Sequence, residues 1–199
     1  MPLKDQLTNY ARKLIENKPG RTSLRSLVQR RKPVTKHFTD DGIVPNHPRW
    51  PMVVYRNVFR FGKNDPAVVI DALFDANGWG RSWRDTIYDF VHYHSQVHEV
   101  LGVAKGRAVV ECGGLKGSKL KLRAGDVVVL PAGTGHRLIE ATKDFLVVGA
   151  YPPEGTYDEC TDTRDRSAAA KRIVRAKKPK ADPVYGKAGP LLEIWRRNR

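Results

Sequence analysis

Apolar residues recur along this chain in two rhythms. Between Thr86 and Ala150 they come in short runs: Ile87 to His94, Glu99 to Val103, Arg107 to Glu111, Leu120 to Leu122, Val127 to Leu130, Arg137 to Ala141 and Phe145 to Ala150. The runs are rich in β-branched and aromatic residues, and Gly-Gly and Lys-Gly pairs mark the bends. Segments of that length with turn residues between them predict β-strands. An eighth strand is expected over Met52 to Phe59, after a loop rich in Pro, His and Asp.

The second rhythm is helical. Leu3, Leu7, Leu14 and Ile15 predict an amphipathic helix over residues 3–17, closed by Pro19-Gly20. Thr22-Ser23 predicts the cap of a second helix running through Lys32 and ended by Pro33. Asp65 and Pro66 read as an N-cap followed by proline at the first helical position, and Val68, Ile70, Leu73 and Phe74 carry the helix to Asn77 before Gly78. Trp79 and Trp83 then bracket a Gly-Arg-Ser turn, where they rim the barrel mouth or cover the edge of the β domain; edge cover is expected. An Ala-rich helix is expected from Arg166 to Lys178, stopped by Pro179. The tail from Asp182 to Trp195 carries Tyr185, Leu191, Leu192, Ile194 and Trp195, too apolar for a disordered end, and is expected to dock on the domain or on a partner subunit. The pattern therefore predicts a mainly β fold, a double-sheet jelly roll with helical extensions. Its divisions are a basic helical extension over residues 1–37, a barrel over 38–163, and a basic helix with a docking tail over 164–199.

Chemistry gathers on two of the predicted strands. His92 and His94 are two residues apart, so on a strand both imidazoles face one side. Glu99 follows after a short polar break, and His136 lies just beyond a Pro-Ala-Gly-Thr-Gly turn. Three imidazoles and a carboxylate suit one divalent transition metal: iron, manganese, nickel, copper or zinc. His98 is the alternative fourth ligand. A lone histidine on an apolar strand is more often a core residue with satisfied hydrogen bonds, whereas His37 and His47, isolated in or beside the loop before Pro51, are expected to be surface residues. Strict alternation also turns Tyr88 and Phe90 inward with His92, and Leu138 and Glu140 inward with His136. Glu140 and Tyr88 are then the nearest candidates for a catalytic acid or base.

At these residues the chain resembles the cupin superfamily. That family's first motif runs glycine, five residues, His-x-His, three or four residues, Glu, six residues, glycine; here His92, His94, Glu99 and Gly106 meet it, with Thr86 in place of the leading glycine. Its second motif, glycine, five residues, Pro-x-Gly, two residues, His, is met by Gly125, Pro131, Gly133 and His136, with Glu140 where an asparagine often closes it. The resemblance covers roughly Pro51 to Pro153. It is nearest to small bacterial cupins of largely unassigned function, in which a run like His98 to Gly102 recurs. It implies a jelly-roll barrel, the four ligands above and a small-molecule substrate. The count of six residues to Gly106 favours Glu99 over His98.

Charge changes the picture at the ends. The 199 residues hold 36 Lys and Arg against 21 Asp and Glu, a formal net charge of +15. Residues 1–37 carry +8, residues 38–163 carry −2, and residues 164–199 carry +9. Basic ends of this kind attract nucleic acid or anionic surfaces, but without interleaved aromatics or a reading helix a nucleic-acid partner is not favoured. Cys112 and Cys160 form no disulfide framework or metal-type pair, so a reducing cytoplasm is expected, and no run reaches signal-peptide or membrane-span length. The apolar tail suits a partner subunit, and a homodimer is expected.

Two functional classes remain. One is a metal-dependent enzyme acting on a small organic molecule, as a dioxygenase or as an isomerase or lyase. The other is a non-catalytic sensor or binding module whose basic ends contact nucleic acid or a protein.

Overall fold

The computed structural model describes residues 20–198. The helix expected over residues 3–17 lies outside the described residues. Among the described residues, nine strands form two antiparallel sheets. They are β1 (Val34–Lys36), β2 (Met52–Tyr55), β3 (Gly80–Asp85), β4 (Glu99–Lys105), β5 (Arg107–Cys112), β6 (Ser118–Arg123), β7 (Val127–Leu130), β8 (His136–Ala141) and β9 (Leu146–Tyr151). The larger sheet has the order β1-β2-β7-β4-β9-β3 and the smaller β6-β5-β8. Four helices accompany them: α1 (Arg21–Ser26), α2 (Pro66–Ala76), α3 (Arg166–Arg175) and α4 (Pro190–Arg197).

The unbroken apolar runs of the larger sheet have a structural cause. Met52, Val54, Leu101, Val103, Val128, Leu130 and Val147 point between the sheets, against Ala108, Val110, Cys112 and Leu122 of the smaller sheet. Their neighbours Val53, Tyr55, Val100, Val127, Val129 and Val148 point the other way, into a layer with Ile70 and Phe74 of α2 and Leu191 and Trp195 of α4. A sheet covered on both faces needs apolar residues at every position, whereas β5 and β6 alternate because one face meets water. Helix α2 can press onto the sheet because β4 has glycine at 102: a Cβ there would lie 2.6 Å from the Ile70 side chain. Asp65 caps α2 as expected, accepting hydrogen bonds from the amides of Ala67 and Val68.

Several local expectations are corrected. The second helix ends at Ser26 because the following backbone pairs with another segment, Gln29 N–H donating to Val58 O at 2.8 Å and Arg60 N–H to Leu27 O at 2.8 Å. Long-range pairing there overrides helical propensity. The stretch after Trp79 is strand β3, on the edge of the larger sheet; Trp79 itself is buried in the helix-side core, and Trp83 packs toward the space between the sheets. His47 is buried rather than superficial, its ring stacked on Trp50 with centroids 4.3 Å apart, while His37 is exposed. The segment Ile87 to His94 is not a regular strand; it is extended chain with bends and isolated pairings. The C-terminal tail packs inward, with Leu191 and Trp195 in the core.

Candidate metal centre

Irregular chain brings the first two histidines into place. His92 pairs with His136 of β8 through reciprocal backbone hydrogen bonds of 3.2 and 2.9 Å, and Gly133 N–H donates to His94 O at 2.7 Å. Tyr93, between them, bonds through its backbone to Cys160 and buries its side chain with Val44, Ala169 and Ile173. The two-residue alternation thus survives over 92–94, and the ligand nitrogens of His92, His94 and His136, all buried, lie within 4.8 Å of one another. The turn before His136 needs its glycine: Gly133 has φ +87°, and a Cβ there would lie 2.6 Å from Ile173 of α3.

Each imidazole is held by its far nitrogen. Nδ1 of His92 faces Phe90 O at 3.3 Å, that of His94 faces Asp158 O at 2.5 Å, and that of His136 faces Thr134 O at 3.1 Å. Backbone carbonyls accept only, so each Nδ1 carries the proton and each Nε2 keeps its lone pair, as metal-binding histidines require. Glu99 sits on β4, in the set that faces between the sheets, with Oε2 3.2 Å from His136 Nε2 and 3.6 Å from His94 Nε2.

The electrostatics are tense. Burial, then the charge on His136, pushes His92 down to about 3. Burial also opposes charge on His94, but Glu99 and the Asp158 carbonyl outweigh it and raise the group. Burial would likewise raise Glu99; His94 and His136 overcome that and hold its carboxyl well below the usual range. Yet Glu99 Oε2, fully enclosed, makes no hydrogen bond. A buried anionic oxygen without a donor, facing the Nε2 atoms of His94 and His136, is costly unless a cation lies among them. These residues fit a divalent transition metal.

The remaining candidates separate. His98 faces the opposite layer from Glu99. Its Nδ1 accepts from Ala132 N–H at 2.9 Å, its Nε2 donates to Lys177 O at 3.1 Å, and its ring lies against Trp50 and Trp195. Both nitrogens are committed away from the site. Glu140 is exposed and lines a different cavity on the outer surface, with Arg107 and Lys121. The parity expected of β8 fails at a bulge: Leu138 pairs with Val110 but Glu140 with Val109, so Ile139 is an extra residue and the following side chains reverse. Tyr88 lines the site's cavity with its ring edge on His92, although it and Phe90 are half exposed rather than enclosed.

The cavity holds about 310 Å³ and includes Trp83, for which a place at the barrel mouth is the alternative to edge cover, and Tyr151 and Tyr157, which the sequence reading missed. Tyr151 stands edge-on to His94, Tyr157 lies 4.9 Å from it, and Trp83 Nε1 donates to Tyr151 Oη at 2.9 Å. Burial, with the Glu99 charge, raises the Tyr151 phenol and keeps it neutral. Tyr151 was legible in principle: it shares parity with Val147 on β9. Tyr157 and Asp158 come from a loop without periodicity and left no such signal.

Fold and site together define the class, and the chain belongs to the cupin family: the model of the cupin domain matches residues 88–148. The uncharacterized protein YjlB of Bacillus subtilis (strain 168) is 41% identical over 162 residues, 81% of this chain and 95% of that protein. Among solved structures, an uncharacterized conserved protein with a double-stranded β-helix domain from Klebsiella pneumoniae is 16% identical, covering 73% of this chain and 98% of its own, with a TM-score of 0.34. Acireductone dioxygenase from Bacillus anthracis, with cadmium in its active centre, is 16% identical over 43% of this chain and 59% of its own, with a TM-score of 0.32. No helix among the described residues is long and apolar enough to cross a membrane.

Proposed function

We propose that this protein is a metal-dependent enzyme acting on a small organic molecule, with His92, His94, Glu99 and His136 holding one divalent transition metal. The observation that carries the reading is the enclosed Glu99 oxygen, left without a hydrogen bond and turned toward His94 and His136, whose ring nitrogens cluster with that of His92. A metal bound there supplies Lewis-acid polarisation of a substrate oxygen or, if it is iron, redox chemistry with dioxygen.

The chain's own residues shape the rest. Trp83, Tyr151 and Tyr157 offer flat apolar walls, which suit a small planar or unsaturated body and exclude water around the polar floor. Tyr151 Oη keeps its proton and is placed as a hydrogen-bond donor beside His94. Tyr88, at the mouth, is the acid or base candidate that retains access to both solvent and the cavity. Glu140 has no such access.

Elemental analysis of protein purified without a chelating tag tests the metal, with close to one equivalent per chain expected. Oxygen uptake and product analysis against enols, diketones and thiols then test for turnover. Protein that takes up no divalent metal under reconstitution would overturn the reading; metal without turnover across substrates would favour a binding module.

A further inference from the structure

Residues 30–33 and 185–196, from the two basic stretches of the chain, meet in one groove. Arg30, Arg31 and Lys32 form one wall, and Lys187 with Arg196 of α4 forms the other, around a cavity of about 760 Å³. A specific lock joins the walls: Tyr185 Oη donates to Gln29 O at 2.8 Å and accepts from Arg31 N–H at 3.0 Å. The Arg31 guanidinium is held by neutral partners, Gln29 Oε1 at 3.0 Å and Asn57 O at 3.2 Å, so it is oriented without being neutralised.

Elsewhere several arginines are paired with carboxylates, as in Arg56 with Asp126, Arg84 with Asp71 and Arg137 with Glu111. Here, among the described residues, no carboxylate pairs with Arg30, Arg31, Lys32, Lys187 or Arg196, and the groove's carboxylate, Glu193, is engaged by Arg197. Bringing five like charges together is unfavourable by itself, and a concave surface of one sign concentrates counter-ions.

We propose that this groove binds a small organic anion carrying several phosphates. Arginine forks and lysine ammonium groups are the usual partners of phosphate oxygens. Pro33, Pro190 and Leu192 give the groove an apolar component that bare inorganic ions would not use. A single-stranded nucleic acid is less well matched, because base stacking needs a free aromatic face, and Tyr185 is committed through its hydroxyl while its ring meets Tyr55 edge-on. The assignment is independent of the metal site.

Calorimetric titration of the full chain at low ionic strength with adenosine triphosphate, tripolyphosphate and a short single-stranded oligonucleotide tests it. Adenosine triphosphate should bind, and Arg30→Glu with Lys187→Glu should weaken it by about tenfold or more, since both residues are exposed and replaceable without unfolding. A charge-matched control, Lys119→Glu with Lys143→Glu, should leave it unchanged. Equal loss in both variants would reduce the effect to net charge and overturn the site. Binding of tripolyphosphate as tight as that of the nucleotide would support the phosphate contacts but remove the role of the apolar floor. Binding of the oligonucleotide alone would replace the proposal with a nucleic-acid surface, and no binding by any probe would refute it.

Discussion

His98 and Glu99 are adjacent in the chain yet face opposite layers of the protein, Glu99 toward the imidazoles between the sheets and His98 toward Trp50 and Trp195 beneath α4. One residue of register at the start of β4 therefore separates the candidate metal ligand from a core residue. Glu99→Gln is expected to lower metal affinity at least about a hundredfold, because it removes the anionic oxygen from the ligand set. Glu140→Gln should leave affinity unchanged. His98→Ala should instead cost about 2–4 kcal/mol of stability, since it opens a cavity and strands the Ala132 amide and the Lys177 carbonyl. Metal titration and denaturant unfolding of the three variants distinguish these effects; loss of metal with the Glu140 variant would reverse the assignment.

His92→Ala and His136→Ala should each empty the centre while the protein stays folded. Their side chains come from different segments of one scaffold, and each removes a ligand nitrogen rather than apolar core. Metal content and far-ultraviolet circular dichroism check the two halves of this expectation. Wild-type occupancy in either variant would exclude that histidine as a ligand.

How much of this was legible depended on how regular the backbone is. The motif spacing singled out His92, His94, Glu99 and His136, which the fold brings together, and period-two alternation grouped the two histidines. The same alternation failed at Glu140, where Ile139 forms a bulge, and at Phe90, where the chain bends; Tyr88 does line the cavity, although half exposed. A bulge is a pairing between two strands and leaves little trace in either one alone. His47 was misread for a related reason: its burial comes from Trp50 stacking and from Arg49 and Trp50 amides donating to its Nδ1, within a loop that carries no periodicity.

Those buried histidines predict acid sensitivity. Burial, then the charges of His98, Arg49 and His37, pushes His47 down to about 3, and burial pushes His98 down to about 4. An unfolded histidine titrates near ~6.5. Between about pH 6.5 and pH 4 the unfolded chain therefore binds protons that the folded chain refuses, and stability falls as pH falls through that window. Each histidine contributes about 2 kcal/mol of this loss at about pH 5. His47→Asn keeps an acceptor for the two amides and removes the proton site, so its unfolding free energy should decline less between neutral pH and pH ~5 than that of the wild type. Parallel decline in the two proteins would mean that His47 is not protonated on unfolding in this range.

The C-terminal tail offers the last test, because its attachment is both apolar and polar. Trp195 is buried, stacks on Trp50 with centroids 5.1 Å apart, and donates through Nε1 to Pro51 O at 2.9 Å. Asp182 accepts from Tyr55 Oη at 2.5 Å and from the amides of Val184, Tyr185 and Leu191 at 2.8, 3.0 and 3.1 Å. Burial raises the Asp182 carboxyl even against those donors, so the site needs acceptor oxygens more than it needs charge. Trp195→Ala should therefore cost about 3–5 kcal/mol and lower Tm by on the order of 10 °C. Asp182→Ala should cost about 3 kcal/mol or more by stranding several donors, and Asp182→Asn should cost less, because it restores one acceptor without a buried charge. Differential scanning calorimetry ranks the three. Wild-type melting in Trp195→Ala would mean that the tail adds nothing to the fold, and an Asn variant as damaged as the Ala variant would mean that the charge, not the hydrogen bonding, holds the tail in place.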